Sequence, residues 1–152
     1  MSGQYYKVCS KDIETGITKS TFADVPLALT YSLGEVTKPK LGSLFCFTNL
    51  IHAKNWLRKL LLPGSGIEHF SLFQGEGEVS KIQSKCMLVS YFLWKDIHLK
   101  LFWEDVVDGR NCSERNRTFP LVKGTIFLDW FKPTVELEIK NLREKLNDIS
   151  IL

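Results

Sequence analysis

Residues 42–66 read GSLFCFTNLIHAKNWLRKLLLPGSG, and a change of hydrophobic period inside this stretch decides the fold class. Leu44-Phe45-Cys46-Phe47 is a continuous apolar run, short enough to be a buried strand. Thr48 or Asn49 then offers a side-chain oxygen to an unpaired backbone N–H, the signature of a helix N-cap. Leu50, Ala53, Trp56, Leu57, Leu60 and Leu61 follow at spacings of three and four, one face of an amphipathic helix. Pro63-Gly64-Ser65-Gly66 stops it.

Strand patterns flank this unit. Upstream, Tyr5 to Cys9 reads as a strand, Asp12 to Gly16 as a turn, and Ile17 to Phe22 as an alternating return strand. Pro26 to Tyr31 fits neither period, and Gly34 and Pro39 punctuate the stretch between Tyr31 and Gly42. Downstream, Glu68 to Gln74 and Lys85 to Leu93 read as strands, joined through a glycine-rich turn, Gly75-Glu76-Gly77-Glu78. Leu101-Phe102-Trp103 is a short apolar island ahead of a polar loop from Glu104 to Thr118. Thr125 to Phe131 is a further strand and Lys132-Pro133 a bend. After it Val135, Leu137 and Ile139 alternate with charged residues, and Leu142, Leu146 and Ile149 fit a short helix. The expectation is a single α+β domain over residues 1–152, with a mostly antiparallel sheet, one main helix and a short C-terminal helix.

Several fragments resemble a small family of bacterial and phage proteins. They are the first strand Tyr6-Lys7-Val8, Tyr31 with Gly34, and the strand-to-helix segment Gly42-Ser43-Leu44-Phe45-Cys46-Phe47 with Ala53 and Trp56. Gly75-Glu76-Gly77-Glu78-Val79 and a closing Gly124-Thr125 with Asp129, Lys132 and Pro133 complete the pattern. The resemblance spans residues 5–137. It implies the fold and a prokaryotic or phage source, and brings no established activity with it.

Bulk properties narrow the function. The chain has 152 residues, is 44% hydrophobic and carries a net charge of +3, too little charge for a general nucleic-acid binder. Its longest apolar stretch, Cys86 to Trp94, is far shorter than the roughly 20 residues a membrane span needs. With no basic and apolar leader at the N-terminus, the expectation is a cytoplasmic protein, in the host cytoplasm if phage-encoded. Cys9, Cys46, Cys86 and Cys112 are scattered without metal-ligand spacing, so free thiols in a reducing compartment are expected, with no metal and no cofactor. Asn111-Cys112-Ser113 and Asn116-Arg117-Thr118 are read as parts of the polar loop.

Catalytic patterns are incomplete. Glu76 and Glu78 resemble the acidic pair of ADP-ribosyltransferases, but Lys7 and Ser20-Thr21 supply only degraded counterparts of the other two elements. His52, His69 and His98 pair with no cysteine in the pattern of a nucleophile and its base. Gly64-x-Gly66 and Gly75-x-Gly77 lack the remaining residues of a phosphate loop. No catalytic residue is assigned.

Basic and aromatic residues are more suggestive. Lys54 and Arg58 lie one helical turn apart, and Arg110, Arg115 and Arg117 crowd the polar loop after Trp103. Arg grips phosphate bidentately and Trp offers a stacking face. Trp103, Arg110, Arg115, Arg117, Lys54 and Arg58 are therefore the expected ligand-binding residues, for a small, nucleotide-derived anion held without catalysis. In a phage protein such binding could sequester a host immune signal. The alternatives are a protein–protein interaction module and a degenerate ADP-ribosyltransferase-like enzyme; a homo-oligomer is left open.

Overall fold

The computed structural model describes residues 3–12, 14–19, 29–60, 70–84, 86–88, 96–107 and 118–138. Its elements, in chain order, are β1 (Gly3–Lys11), β2 (Thr18–Lys19), β3 (Thr30–Tyr31), β4 (Leu44–Phe47), α1 (Leu50–Leu60), β5 (Phe70–Val79), β6 (Cys86–Leu88), α2 (Asp96–Val107), β7 (Thr118–Pro120) and β8 (Thr125–Leu137). Every pairing between these strands is antiparallel. Strand is the dominant structure, as expected, but two helices of similar length replace the one main helix. The expected C-terminal helix lies outside the described residues.

The sheet closes on itself. Its order is β3-β2-β1-β4-β8-β5, and β5 pairs again with β1, so β1, β4, β8 and β5 form a ring with no free edge among them. The β1–β5 ladder runs from Gly3↔Gly77 to Ser10↔Phe70, and β5 continues along β8 from Leu72↔Leu137 to Val79↔Leu128. Beyond the end of β4, residues 34–37 take its place beside β8. Gly34 N–H donates to the Pro133 carbonyl, and Thr37 and Phe131 exchange backbone bonds of 2.8 and 3.0 Å. At the other end of β8, Gln83 substitutes for a strand: its side-chain amide donates to the Phe127 carbonyl and accepts from the Phe127 N–H.

Alternation along each strand sorts the core into three clusters. Cys9, Leu44, Cys46, Phe73, Leu128 and Phe131, with Tyr31, fill the inside of the ring. Outside it, α1 lays Ala53 and Leu57 on Val8, Phe47 and Leu72, while α2 lays Phe102, Trp103 and Val106 on Phe127 and Phe45. This explains the unbroken apolar run of β4: Leu44 and Cys46 face in, Phe47 meets α1, and Phe45 meets α2. Asn49 is the N-cap of α1, its Oδ1 accepting from the His52 N–H at 3.1 Å.

Three sequence expectations are corrected. Gly75-Glu76-Gly77-Glu78 is no turn; it is the middle of β5, with both glycines facing into the ring. A Cβ at Gly75 would press on the Lys132 carbonyl and lie 2.9 Å from the Phe131 ring, and one at Gly77 would lie 2.6 Å from Leu128. The ring is too narrow there for any side chain. Lys132-Pro133 is not a bend that ends a strand, since β8 runs on to Leu137. Bulges at Asp129 and Thr134, opposite the register breaks at Glu78/Val79 and Gln74/Gly75, absorb the curvature. Pro133 tolerates its place opposite Gly75 because a bulge asks for fewer ladder donors. Finally, Leu101-Phe102-Trp103 and the start of the expected polar loop belong to α2, as does His98; residues 108–117 lie outside the described residues.

Candidate functional site

The helix α1 carries the clearest charge feature. Residues 42–66 contain no Asp or Glu, and the i,i+4 spacing sets Lys54 and Arg58 together on the flank of α1 away from its buried stripe of Ala53 and Leu57. Both residues are half-buried, an exposure that suits long cationic side chains, whose stems pack on apolar surface while the charged ends stay in water. Neither has an ion-pair partner among the described residues, where Lys11 pairs with Glu136 at 3.5 Å. Ile51 on the same outer face is exposed.

Trp103 is not beside them. It projects from α2 into the core and is 5% exposed. Edge-on contacts with Phe45, Phe102 and Phe127 at centroid distances of 6.0, 5.1 and 5.4 Å enclose its ring. The backbone of Gly42 closes the remaining side: φ is +65° there, and a Cβ would run into the indole. Trp103 therefore works as packing and offers no open face for stacking. Arg110, Arg115 and Arg117 lie outside the described residues, so Lys54 and Arg58 are the candidates the structure brings together.

The barrel wall separates the acidic pair from Lys7. Gly75 and Gly77 face in, so Glu76 and Glu78 face out; Glu78 Oε2 accepts from Trp130 Nε1 at 3.1 Å, and Glu76 stands opposite Lys132. Lys7 faces the other way, with Cys9, toward the interior. The geometry therefore does not bring Lys7 to the glutamates, as a transferase-like site would require. Ser20 and Thr21 lie outside the described residues, as does His69.

The buried thiols are poor nucleophiles. Burial pushes Cys9 up to about 12 and Cys46 up to about 11, although the Lys7 charge acts on both in the opposite direction. Both thiols therefore stay protonated at neutral pH, and only the thiolate reacts. Among the described residues no group of three His, Cys, Asp or Glu could hold a metal ion, and no helix is long and apolar enough to cross a membrane.

Sequence reasoning did not foresee the surroundings of Lys7. Its side chain is 8% exposed, its Nζ donates to the Phe45 carbonyl at 2.6 Å, and the same Nζ stands 5.5 Å from the centre of the Tyr31 ring. The only signal was a lysine inside a strand at an inward-facing position of the two-residue alternation. No protein-family model, curated protein or solved structure matches the chain.

Proposed function

We propose that the protein is a non-enzymatic binder of a small, nucleotide-derived anion, held at Lys54 and Arg58 on α1. The observation that carries this reading is the pair itself: two cations one turn apart, with no acidic residue on their helix and no ion-pair partner among the described residues. Such a pair repels itself, and an anion relieves the repulsion while satisfying the guanidinium fork. Arg110, Arg115 and Arg117 are the further cations assigned to the ligand. Trp103 has a structural role only, so ring stacking is not drawn from it. In a phage, the source that the sequence resemblance implies, the outcome would be sequestration of a host immune signal.

Isothermal titration against cyclic dinucleotides and ADP-ribose derivatives tests the reading. The expected result is saturable heat with one class of ligand, recovery of that ligand unaltered, and at least tenfold weaker binding in Lys54→Ala or Arg58→Ala. Absence of heat across the panel, or turnover of the ligand, overturns it.

A second reading is a protein-interaction module. Leu33, Val36 and Val135 are each about half exposed, and the backbone bonds of residues 34 and 37 to β8 place them around one stretch of the barrel. Concentration-dependent mass in light scattering that Leu33→Ser abolishes would favour that reading over the first.

A further inference from the structure

The inside of the ring holds a polar anomaly that the α1 site does not involve. Lys7 carries a positive charge into an interior lined by Leu44, Phe73, Leu128 and Phe131. Buried charges are normally paired, because removal from water costs several kcal/mol per ion. Among the described residues Lys7 has no carboxylate partner; Glu136, opposite the inward-facing Phe73 and felt by Cys9, is paired with Lys11 at 3.5 Å. Its neighbours are the Phe45 carbonyl and the Tyr31 ring face, and a carbonyl and a π face together carry no full negative charge.

Ser71 adds a second, independent anomaly. It pairs with Cys9 across the β1–β5 ladder, while Lys7 pairs with Phe73. Leu72 points out to α1, so Ser71 points in, on the same side as Lys7 and Cys9. The residue is 1% exposed, and its hydroxyl has no hydrogen-bond partner among the described residues. An orphaned buried hydroxyl is a common mark of an ion or water that belongs at the site.

We propose that the interior of the ring binds one small monovalent anion, chloride or a similar halide, between the Lys7 ammonium and the Ser71 hydroxyl. The donor set selects this class of ligand. An ammonium has three N–H groups, and one donates to Phe45; the Ser71 hydroxyl adds one ordinary donor, and the neutral thiols of Cys9 and Cys46 only weak ones. The neutral thiols are not counter-ions themselves. One positive charge matches one negative charge, so a dianion would leave a buried excess. Apolar walls and soft thiols favour a large, weakly hydrated halide over fluoride or sulfate.

The test is urea unfolding of the whole protein at fixed ionic strength while gluconate is exchanged for chloride, bromide or fluoride. The expected result is a saturable stabilisation by chloride and bromide, with the unfolding constant reduced about tenfold when chloride reaches ten times its dissociation constant. Fluoride should act weakly. Lys7→Met should abolish the dependence and Ser71→Ala should move its midpoint to higher chloride. If Lys7→Met does not fold, chlorine NMR line broadening by the wild-type protein, reversed by bromide and reduced in Ser71→Ala, decides the matter. Equal stability in gluconate and chloride, or line widths indifferent to the protein, overturns the proposal and leaves water as the partner of both groups.

Discussion

Replacing Gly75 by alanine places one methyl group at the narrowest part of the ring, and the cost follows from what the methyl meets. Carbon atoms pack comfortably at about 3.5–4.0 Å, yet the new Cβ would stand 2.9 Å from Phe131 Cζ and would press harder on the Lys132 carbonyl. Neither neighbour has room to retreat. Phe131 is fully buried, lies edge-on to Tyr31 at 6.4 Å, and is tied to Thr37 through both backbone groups. The Lys132 carbonyl is backbone within β8, which lies against β5 along most of its length. Overpacking of this kind costs about 3 kcal/mol, the upper end of the usual range. Alanine returns up to about 1 kcal/mol by restricting the unfolded chain. A net loss of about 2 kcal/mol, with a urea slope of about 2 kcal/mol per molar, lowers the unfolding midpoint by about 1 M. Gly34→Ala is the control, because φ is +79° there but nothing lies within 4 Å of the new Cβ; its cost should be the left-handed strain of about 1–2 kcal/mol less the same unfolded-chain gain, with no overpacking. A Gly75→Ala protein with an unchanged or higher midpoint would show that Gly75 does not face a filled interior, and the closed ring would have to be abandoned.

Two further outcomes rest on the same core. Trp103→Ala should cost about 3–5 kcal/mol in urea unfolding, whereas Trp103→Phe should keep the fold and leave anion titrations unchanged; loss of binding in a folded Trp103→Phe protein would restore a ligand role to the indole. Cys9 and Cys46 hold their protons more tightly in the folded chain than the ordinary thiol value of 9.0, at about 12 and about 11. The folded state then binds more protons than the unfolded state above pH 9, so the stability these groups contribute is intact below that pH and lost as pH rises toward 12. Unfolding titrations should show this alkaline decline, shallower in Cys9→Ala, and a disulfide reagent should leave both thiols untouched until denaturant is added. Rapid labelling of Cys9 in the native protein would contradict the burial.

What could be read from the chain depended on how local each determinant was. The β4–α1 unit was legible because its determinants are neighbours in sequence: a two-sided apolar run, an Asn cap and a helical stripe. Gly75 and Gly77 were not, because glycine signals two different things, freedom to turn and absence of a side chain. Only the distant Phe131, Leu128 and Lys132 show that the second applies. Pro133 misled in the same way, since its tolerance inside β8 rests on a bulge that pairing with β5 creates. The helix α2 was obscured by Glu104 and Asp105, which made the segment after Trp103 look like loop, while its buried residues Phe102, Trp103 and Val106 gave too short a repeat to reveal the period. Lys54 and Arg58 were found because a helical turn suffices to join them. The setting of Trp103 depends on Gly42, Phe45 and Phe127, none of them near it in sequence.

The two proposed anion sites differ in depth, and depth separates their responses to salt. Lys54 and Arg58 hold their charges at the surface, where attraction to a nucleotide phosphate is screened over a Debye length of about 8 Å at physiological ionic strength. Binding there should weaken steadily as ionic strength rises, with little regard for which monovalent salt is used. Lys7 lies inside the ring, where screening by bulk ions is weak and the anion must shed its water to enter. Its response should saturate and should depend on the identity of the anion while ignoring added gluconate. One pair of titrations therefore distinguishes the failures. Nucleotide affinity that tracks ionic strength but unfolding that ignores chloride supports the α1 site and removes the interior one. Chloride-specific stabilisation with no nucleotide heat does the reverse, and would make the buried lysine a structural anion site in a protein whose α1 face has some other use.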